Sequence, residues 1–236
     1  MTPLIATERL TKVYRSGSGA RGQEVRAIEG VDLEVEPGEL VLLMGPSGSG
    51  KSTLLSMIGC ILRPTSGRIR LGGREVTGLR DRDLARVRLH EIGFVFQEAR
   101  LFPSISAVEN VEIPLELQGI RGREARRRAS ALLESVGLAA KVREYPRELS
   151  GGENQRVAIA RAMAGNPSIL LADEPTAALD VTAGRAVFGH LRRLARDARL
   201  AVVVVSHDHR MEEFATRTVK LEDGKLVPAQ VAGGVA

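Results

Sequence analysis

Cysteine, tryptophan and aromatic side chains are scarce in this 236-residue sequence: there is one cysteine, no tryptophan, two tyrosines and five phenylalanines. A lone Cys60 excludes an intrachain disulfide framework and any multi-cysteine zinc or iron–sulfur site, and it suits a reducing compartment. So few rings also leave little material for the stacking platforms of single-strand nucleic-acid binders. Long apolar runs are missing too. A spanning helix needs roughly 18–20 consecutive apolar residues, whereas the richest run here is Leu200 to Val205. The chain is therefore not expected to cross a bilayer alone. Met1 to Leu10 has no basic start, apolar middle or small-residue cleavage site, which predicts a protein that stays where it is made.

What is present favours one packed domain with a lobe attached: 43% hydrophobic and 27% charged residues, with a net charge of +5. The basic charge is scattered except at Arg121, Arg123, Arg126, Arg127 and Arg128. That cluster reads as a solvated helix face, with electrostatic docking of a partner as the alternative. Leu40 to Met44, Ile169 to Ala172 and Ala201 to Val205 read as buried parallel strands. Helical patterns cover Lys51 to Ile58, Arg123 to Val136, Glu153 to Ala164 and Gly184 to Arg196, so the fold class is α/β. Ile5 to Tyr14, Ala27 to Val35 and Gly67 to Leu71 are turn-bounded and predict an antiparallel β-subdomain. Residues 98–164 predict a helical subdomain inserted in a single 1–227 domain, and Pro228 to Ala236 a frayed tail.

Gly45, Pro46, Ser47, Gly48, Ser49, Gly50, Lys51, Ser52 and Thr53 follow the first strong strand and open a helix, the context of a phosphate-binding P-loop. Glycines let backbone N–H groups close around phosphate oxygens, the helix adds its positive end, and Lys51 adds a full charge. Ser52 is the candidate magnesium ligand. This motif alone means a nucleoside triphosphate and little more.

Further groups narrow the chemistry. The strand ending at Ala172 delivers Asp173 and Glu174 to the edge where α/β sheets bind ligands. Asp173 is the candidate to hold Mg²⁺, directly or through water, and Glu174 to orient and deprotonate the attacking water. Their bland alternative is a pair of surface acids. His207, after the valine-rich strand, could donate to the γ-phosphate, although an isolated strand-end histidine is as readily a surface residue. Gln97, after Ile92 to Phe96, could reach metal and water through its amide.

Leu149-Ser150-Gly151-Gly152-Glu153, followed by Asn154 to Ala162, resembles the signature of ATP-binding-cassette (ABC) ATPases. Its local physics stands alone: Ser150 with Glu153 forms a capping box, and the two glycines permit close backbone approach at a positive helix end. The resemblance spans about Ile5 to Val227, and it implies a P-loop core with a parallel sheet, an antiparallel β-subdomain and an α-helical subdomain. It further implies that two cassettes pack head to tail, so that Ser150, Gly151, Gly152 and Glu153 of one cover the γ-phosphate of ATP held by the Lys51 loop of the other. By the same resemblance Asp180 belongs to the loop crossing between the sites. Tyr14 occupies the place of an adenine-stacking ring, with plain packing as the alternative.

The stretch from Lys51 to Asp173 is too short for the long coiled coil of chromosome-maintenance cassettes, which leaves mainly transport. Ser47 to Leu55, Arg63-Pro64-Thr65-Ser66-Gly67, Ile92 to Gln97 and Glu109-Asn110-Val111 are similar to bacterial lipoprotein-release and macrolide-efflux cassettes. The sequence departs from them at Ile61-Leu62 and Ala177-Ala178. This resemblance implies an ATPase that dimerises on ATP and Mg²⁺, most simply as a homodimer, and drives separate transmembrane permease subunits. The membrane subunit would be received around Glu98 to Pro103, with Phe102 as an apolar anchor or equally a plain core residue of the helical subdomain, and the protein would lie peripherally on the cytoplasmic face of the membrane. No nucleic-acid partner is expected. The alternative is a soluble cassette in assembly or scaffolding, of the iron–sulfur type.

Overall fold

Alternating apolar and polar runs become sixteen helices and strands in the computed structural model, which describes residues 2–16 and 23–227. They are β1 (Ile5–Ser16), β2 (Gln23–Val35), β3 (Leu40–Met44), α1 (Lys51–Ile58), β4 (Ser66–Leu71), β5 (Arg74–Glu75), α2 (Asp81–His90) and β6 (Ile92–Val95). Then come α3 (Ala107–Leu117), α4 (Gly122–Ser135), α5 (Gly151–Met163), β7 (Ile169–Asp173), α6 (Val181–Ala198), β8 (Ala201–Val205), β9 (Arg217–Glu222) and β10 (Lys225–Val227). The tail expected at 228–236 lies outside the described residues.

A six-stranded sheet runs in the order β10-β9-β3-β8-β7-β6, parallel except for the β9–β10 hairpin. A separate antiparallel sheet has the order β2-β1-β4-β5. The central sheet separates two cores because successive side chains of a strand point to opposite faces. Leu40, Leu42, Leu170, Ala172, Val202 and Val204 face α3 to α6, joining Val111, Leu133, Ile159 and the fully buried Phe188. Val41, Leu43, Ile169, Leu171, Val203 and Val205 face the other way, onto Leu54, Leu55 and Met57 of α1 and onto the antiparallel sheet. Burial on both faces explains why these strands read as continuous apolar runs.

Two helices escaped the sequence reading, each for a physical reason. The segment that forms α2 is mostly charged and buries only Leu84 and Val87. The α3 segment contains Pro114, which removes one backbone donor. A capping box compensates at its start, where the Ser106 N–H donates to Glu109 at 2.7 Å. Buried Asn110 also binds the carbonyls of Phe102, Ile105 and Ser106. Between β6 and β7 only helices occur among the described residues. The last of them, α5, lies against β6 so closely that a Cβ at Gly93 would sit 2.6 Å from the Ala162 carbonyl. No helix among the described residues is long and apolar enough to cross a membrane.

Candidate functional site

The C-terminal ends of β3, β8 and β7 meet on one edge of the parallel sheet, with β6 beside them. That edge is where open α/β sheets bind ligands. From β3 the chain turns through Gly45 to Gly50 into α1, which begins at Lys51. Gly50 takes φ 102°, and a Cβ there would stand 2.2 Å from the Ala27 carbonyl, so this turn closes only with glycine. Lys51 is 8% exposed, and its ammonium donates to the carbonyls of Gly45 and Pro46 at 2.8 Å each. Ser49 Oγ is buried without a hydrogen-bond partner. A lysine, an unpaired hydroxyl and a helix N-terminus at one glycine-rich turn suit an anion rich in oxygen.

The loop from Gly45 to Thr53, together with Ala27, Gln97, Glu174, Val205 and His207, lines a cleft of about 700 Å³. At its floor Ser52 Oγ donates to Asp173 Oδ1 at 3.0 Å. Burial pushes the Asp173 carboxyl above its ordinary value and the Glu174 charge adds to this, while Ser52 and Lys51 pull the other way. Glu174 adopts the left-handed region at φ 47°, and its N–H donates to the Val205 carbonyl at 3.0 Å. That bend turns its carboxylate toward His207, whose Nδ1 lies 2.9 Å from Oε2. The carboxylate is sheltered, at 16% side-chain exposure, and the imidazole stands open at 71%. An ionised carboxylate only accepts, so Nδ1 carries the proton of this bond and Nε2 is left facing other duties.

Other predicted residues lie outside the cleft. Ser150 caps α5, accepting from the Glu153 N–H at 3.2 Å, while the Ser150 N–H donates to Glu153 at 2.8 Å. This bond, with Lys141 at 2.9 Å, holds the Glu153 carboxyl below its ordinary value. Ser150 and Gly151 are exposed, and Gly152 is buried against α6 near Ala183. Asp180 caps α6 through the Ala183 N–H at 3.0 Å and borders a recess of about 100 Å³ shared with Glu174, His207 and Asp208. Tyr14 of β1 is paired with Val25 of β2; the residue is 43% exposed with its ring 5.3 Å from the Lys12 ammonium, and it does not line the cleft. The arginine cluster forms the exposed face of α4, where Arg127 and Arg128 share Glu124 and Arg126 binds Glu112 at 2.7 Å.

The sequence reading missed Gln155 and Arg161 of α5, which bond the carbonyls of Phe96 and of Ala99 and Arg100 around the Gln97 loop. It also missed the Asp208–Arg210 pair beside His207, at 2.7 Å. No spacing rule marks these residues, because their partners are backbone carbonyls or lie in a tertiary turn.

The family model described as ABC transporter matches residues 28–177. The lipoprotein-releasing system ATP-binding protein LolD 2 of Caulobacter vibrioides is 45% identical, over 95% of this chain and 96% of its own length. The macrolide export ATP-binding/permease protein MacB of Hyphomonas neptunium is 42% identical over 95% of this chain, which spans 34% of that larger protein. Among solved structures, a dimeric post-hydrolysis state of the ATP-binding cassette MJ0796 bound to ADP and phosphate superposes with a TM-score of 0.88. It is 40% identical and covers 98% of this chain and all of its own.

Proposed function

From the premise that the chain belongs to the ABC transporter ATPase family, hydrolysing ATP in support of transport, we propose how its residues divide that work and with whom. Two copies close head to tail on two ATP molecules. The loop from Gly45 to Thr53 holds the phosphates, with Lys51 turning from its own carbonyls to the β- and γ-phosphates. Glu174 accepts the proton of the water whose oxygen attacks the γ-phosphorus, while the bond to the β–γ bridging oxygen breaks and ADP leaves. His207, anchored to Glu174 through Nδ1, meets the γ-phosphate with Nε2 when the ring carries both protons. Tyr14 stacks on adenine from the antiparallel sheet, and Asp180 lies at the seam between copies.

The donor set also fits Mg²⁺. Ser52 and Asp173 place a hydroxyl and a carboxylate oxygen 3.0 Å apart at a site where burial and Glu174 make negative charge costly. No group of three or more His, Cys, Asp or Glu side chains placed to hold a metal occurs among the described residues, so such an ion would lean on phosphate oxygens, as Mg²⁺ does. Ser52, Asp173 and the Gln97 amide would hold it, and when bound it supplies neutralisation of the charge building on the phosphates.

One observation carries this reading: the exposed, capped Ser150 end of α5 lies outside the cleft of its own chain. A phosphate-binding device with no phosphate site in its own chain needs a second copy. Transmembrane subunits of the lipoprotein-release or macrolide-export kind are the partners we infer, received at the groove of about 360 Å³ between Phe94, Phe96, Phe102, Pro114 and Leu117, with this chain peripheral on the cytoplasmic face of the membrane. Lipoprotein-release and macrolide-export relatives support this over an assembly role of the iron–sulfur type. The test is Glu174→Gln: nucleotide still binds, dimers accumulate with ATP on gel filtration, and turnover falls at least a hundredfold, the span of a lost general base. Turnover at the parental rate would remove Glu174 from this role, and a monomer at saturating ATP would refute the dimer.

A further inference from the structure

Helix α4 carries its positive charge at the end where a helix tolerates it least. Aligned peptide dipoles leave the first turn positive, so cations are favoured at the C-terminus and repelled at the start. Yet Arg121, Arg123, Arg127 and Arg128 stand at the N-cap or in the first two turns, all are exposed, and the last turn holds no basic residue. Packing does not require them. Ala125, Ala129 and Leu133 form the buried face, and Arg126 turns to α3, where Glu112 takes it at 2.7 Å. Of the four outward arginines, Arg127 and Arg128 share Glu124 at 2.9 and 2.7 Å, while Arg121 and Arg123 form no ion pair among the described residues. Four cations against one carboxylate leave that face a net charge of +3. Helix stability alone would place them at the other end, so the face is kept positive for an anion outside the chain.

Position and shape identify that anion. Leu117, the last residue of α3, lines the groove assigned above to transmembrane subunits. The turn that follows is tight, the Gly119 N–H donating to the Glu116 carbonyl at 2.9 Å and the Ile120 N–H to the Leu115 carbonyl at 3.0 Å. The arginines therefore begin at the rim of the groove and run about 10 Å along α4. Neither the nucleotide cleft nor the groove includes an α4 residue. A convex row of guanidinium groups suits a plane of phosphates better than a single enclosed ligand, and each group can pair two phosphate oxygens.

We propose that this face of α4 is a membrane-binding surface that docks on anionic phospholipid headgroups around the transmembrane subunits. It adds an electrostatic attachment beside the groove, and two weak attachments together hold a peripheral protein that either alone would release. The location rests on the groove reading, whereas the binding itself needs no membrane subunit.

The experiment is flotation of the full-length chain with vesicles, no membrane subunit being present. The chain should partition onto equal parts phosphatidylcholine and phosphatidylglycerol at about 0.1 M salt, and leave them at about 1 M, where the screening length falls to about 3 Å. Phosphatidylcholine alone should not hold it. Arg123→Gln with Arg127→Gln should weaken the partition roughly 25-fold, about fivefold for each arginine, with ATP hydrolysis within about twofold of the parent. Arg196→Gln on α6, an equally exposed cation at 74% against 71% for Arg127, should change it less than about twofold. Glu124→Gln, which frees two arginines, should strengthen it about fivefold, a gain that misfolding cannot imitate. Equal partition onto neutral vesicles, binding that survives 1 M salt, or variants that partition like the parent would overturn the proposal. So would binding to soluble polyglutamate but not to vesicles, which would assign the face to acidic protein segments. Because the vesicles carry no protein, failure here leaves the groove reading standing, and failure of the groove leaves this result unchanged.

Discussion

Two glycines of the phosphate loop have positive φ but different surroundings, and that contrast yields a quantitative test. Gly48 sits at φ 80° with nothing within 4 Å of a Cβ placed on it. Gly50 sits at φ 102°, and its Cβ would lie 2.2 Å from the Ala27 carbonyl oxygen and 2.8 Å from Ile28 Cδ1. Gly48→Ala should therefore cost only the left-handed backbone, about 1–2 kcal/mol. Gly50→Ala carries a comparable backbone cost and must also push β2 away from the loop by about 1 Å to restore van der Waals contact. Overpacking of that kind costs about 2 kcal/mol. At about 2–4 °C per kcal/mol for a chain of this size, Gly50→Ala should melt roughly 4–8 °C below Gly48→Ala. Thermal unfolding by circular dichroism without nucleotide is the assay, because added ATP would mix binding with stability. Equal melting temperatures would mean that the antiparallel sheet yields freely to the loop, and the steric argument would fail.

Asp173→Asn should stabilise the nucleotide-free protein at neutral pH while abolishing hydrolysis. Burial raises the folded-state value of this carboxyl, so the penalty is absent below the unfolded value, builds as pH rises from the unfolded value to the folded one, and is fully present above it. The melting advantage of the variant should accordingly shrink as pH falls into the carboxylate range, and an advantage independent of pH would refute the cause. Cys60, 7% exposed, has its thiol pushed up to about 11 by burial. A thiol reagent at pH 8 should label it only as the chain unfolds in urea, and stoichiometric labelling of fully active protein would contradict that burial.

The parallel strands were legible because both faces are covered, which left uninterrupted runs such as Val202 to Val205. Helix α1 was legible to the residue, since Gly50 and Lys51 mark its start and Leu54, Leu55 and Ile58 its buried face. The Ser150–Glu153 box was equally plain, because a cap and its reciprocal partner are close in sequence. Nothing local announced α2, whose burial consists of two side chains, or α3, whose proline argues against what Asn110 and the Ser106 cap hold in place. Chemistry followed the same division. Asp173, Glu174 and His207 stand at or just past strand ends and Lys51 opens α1, where short motifs betray them. Gln155 and Arg161 act on carbonyls about sixty positions away, a relation that exists only once β6 and α5 have packed.

Seating β8 between β3 and β7 turns the backbone ladder into a ruler for the chemistry. Neighbouring strands lie about 4.8 Å apart, so the lysine-bearing turn and the acidic pair start two rungs apart with the histidine on the rung between. Loop lengths and surface residues can drift without altering that gauge, because amide-to-carbonyl pairing sets it rather than any side chain. A lineage built on this scaffold could exchange its cargo and its membrane companions freely while the distance from the Lys51 turn to the Glu174 carboxylate stayed fixed.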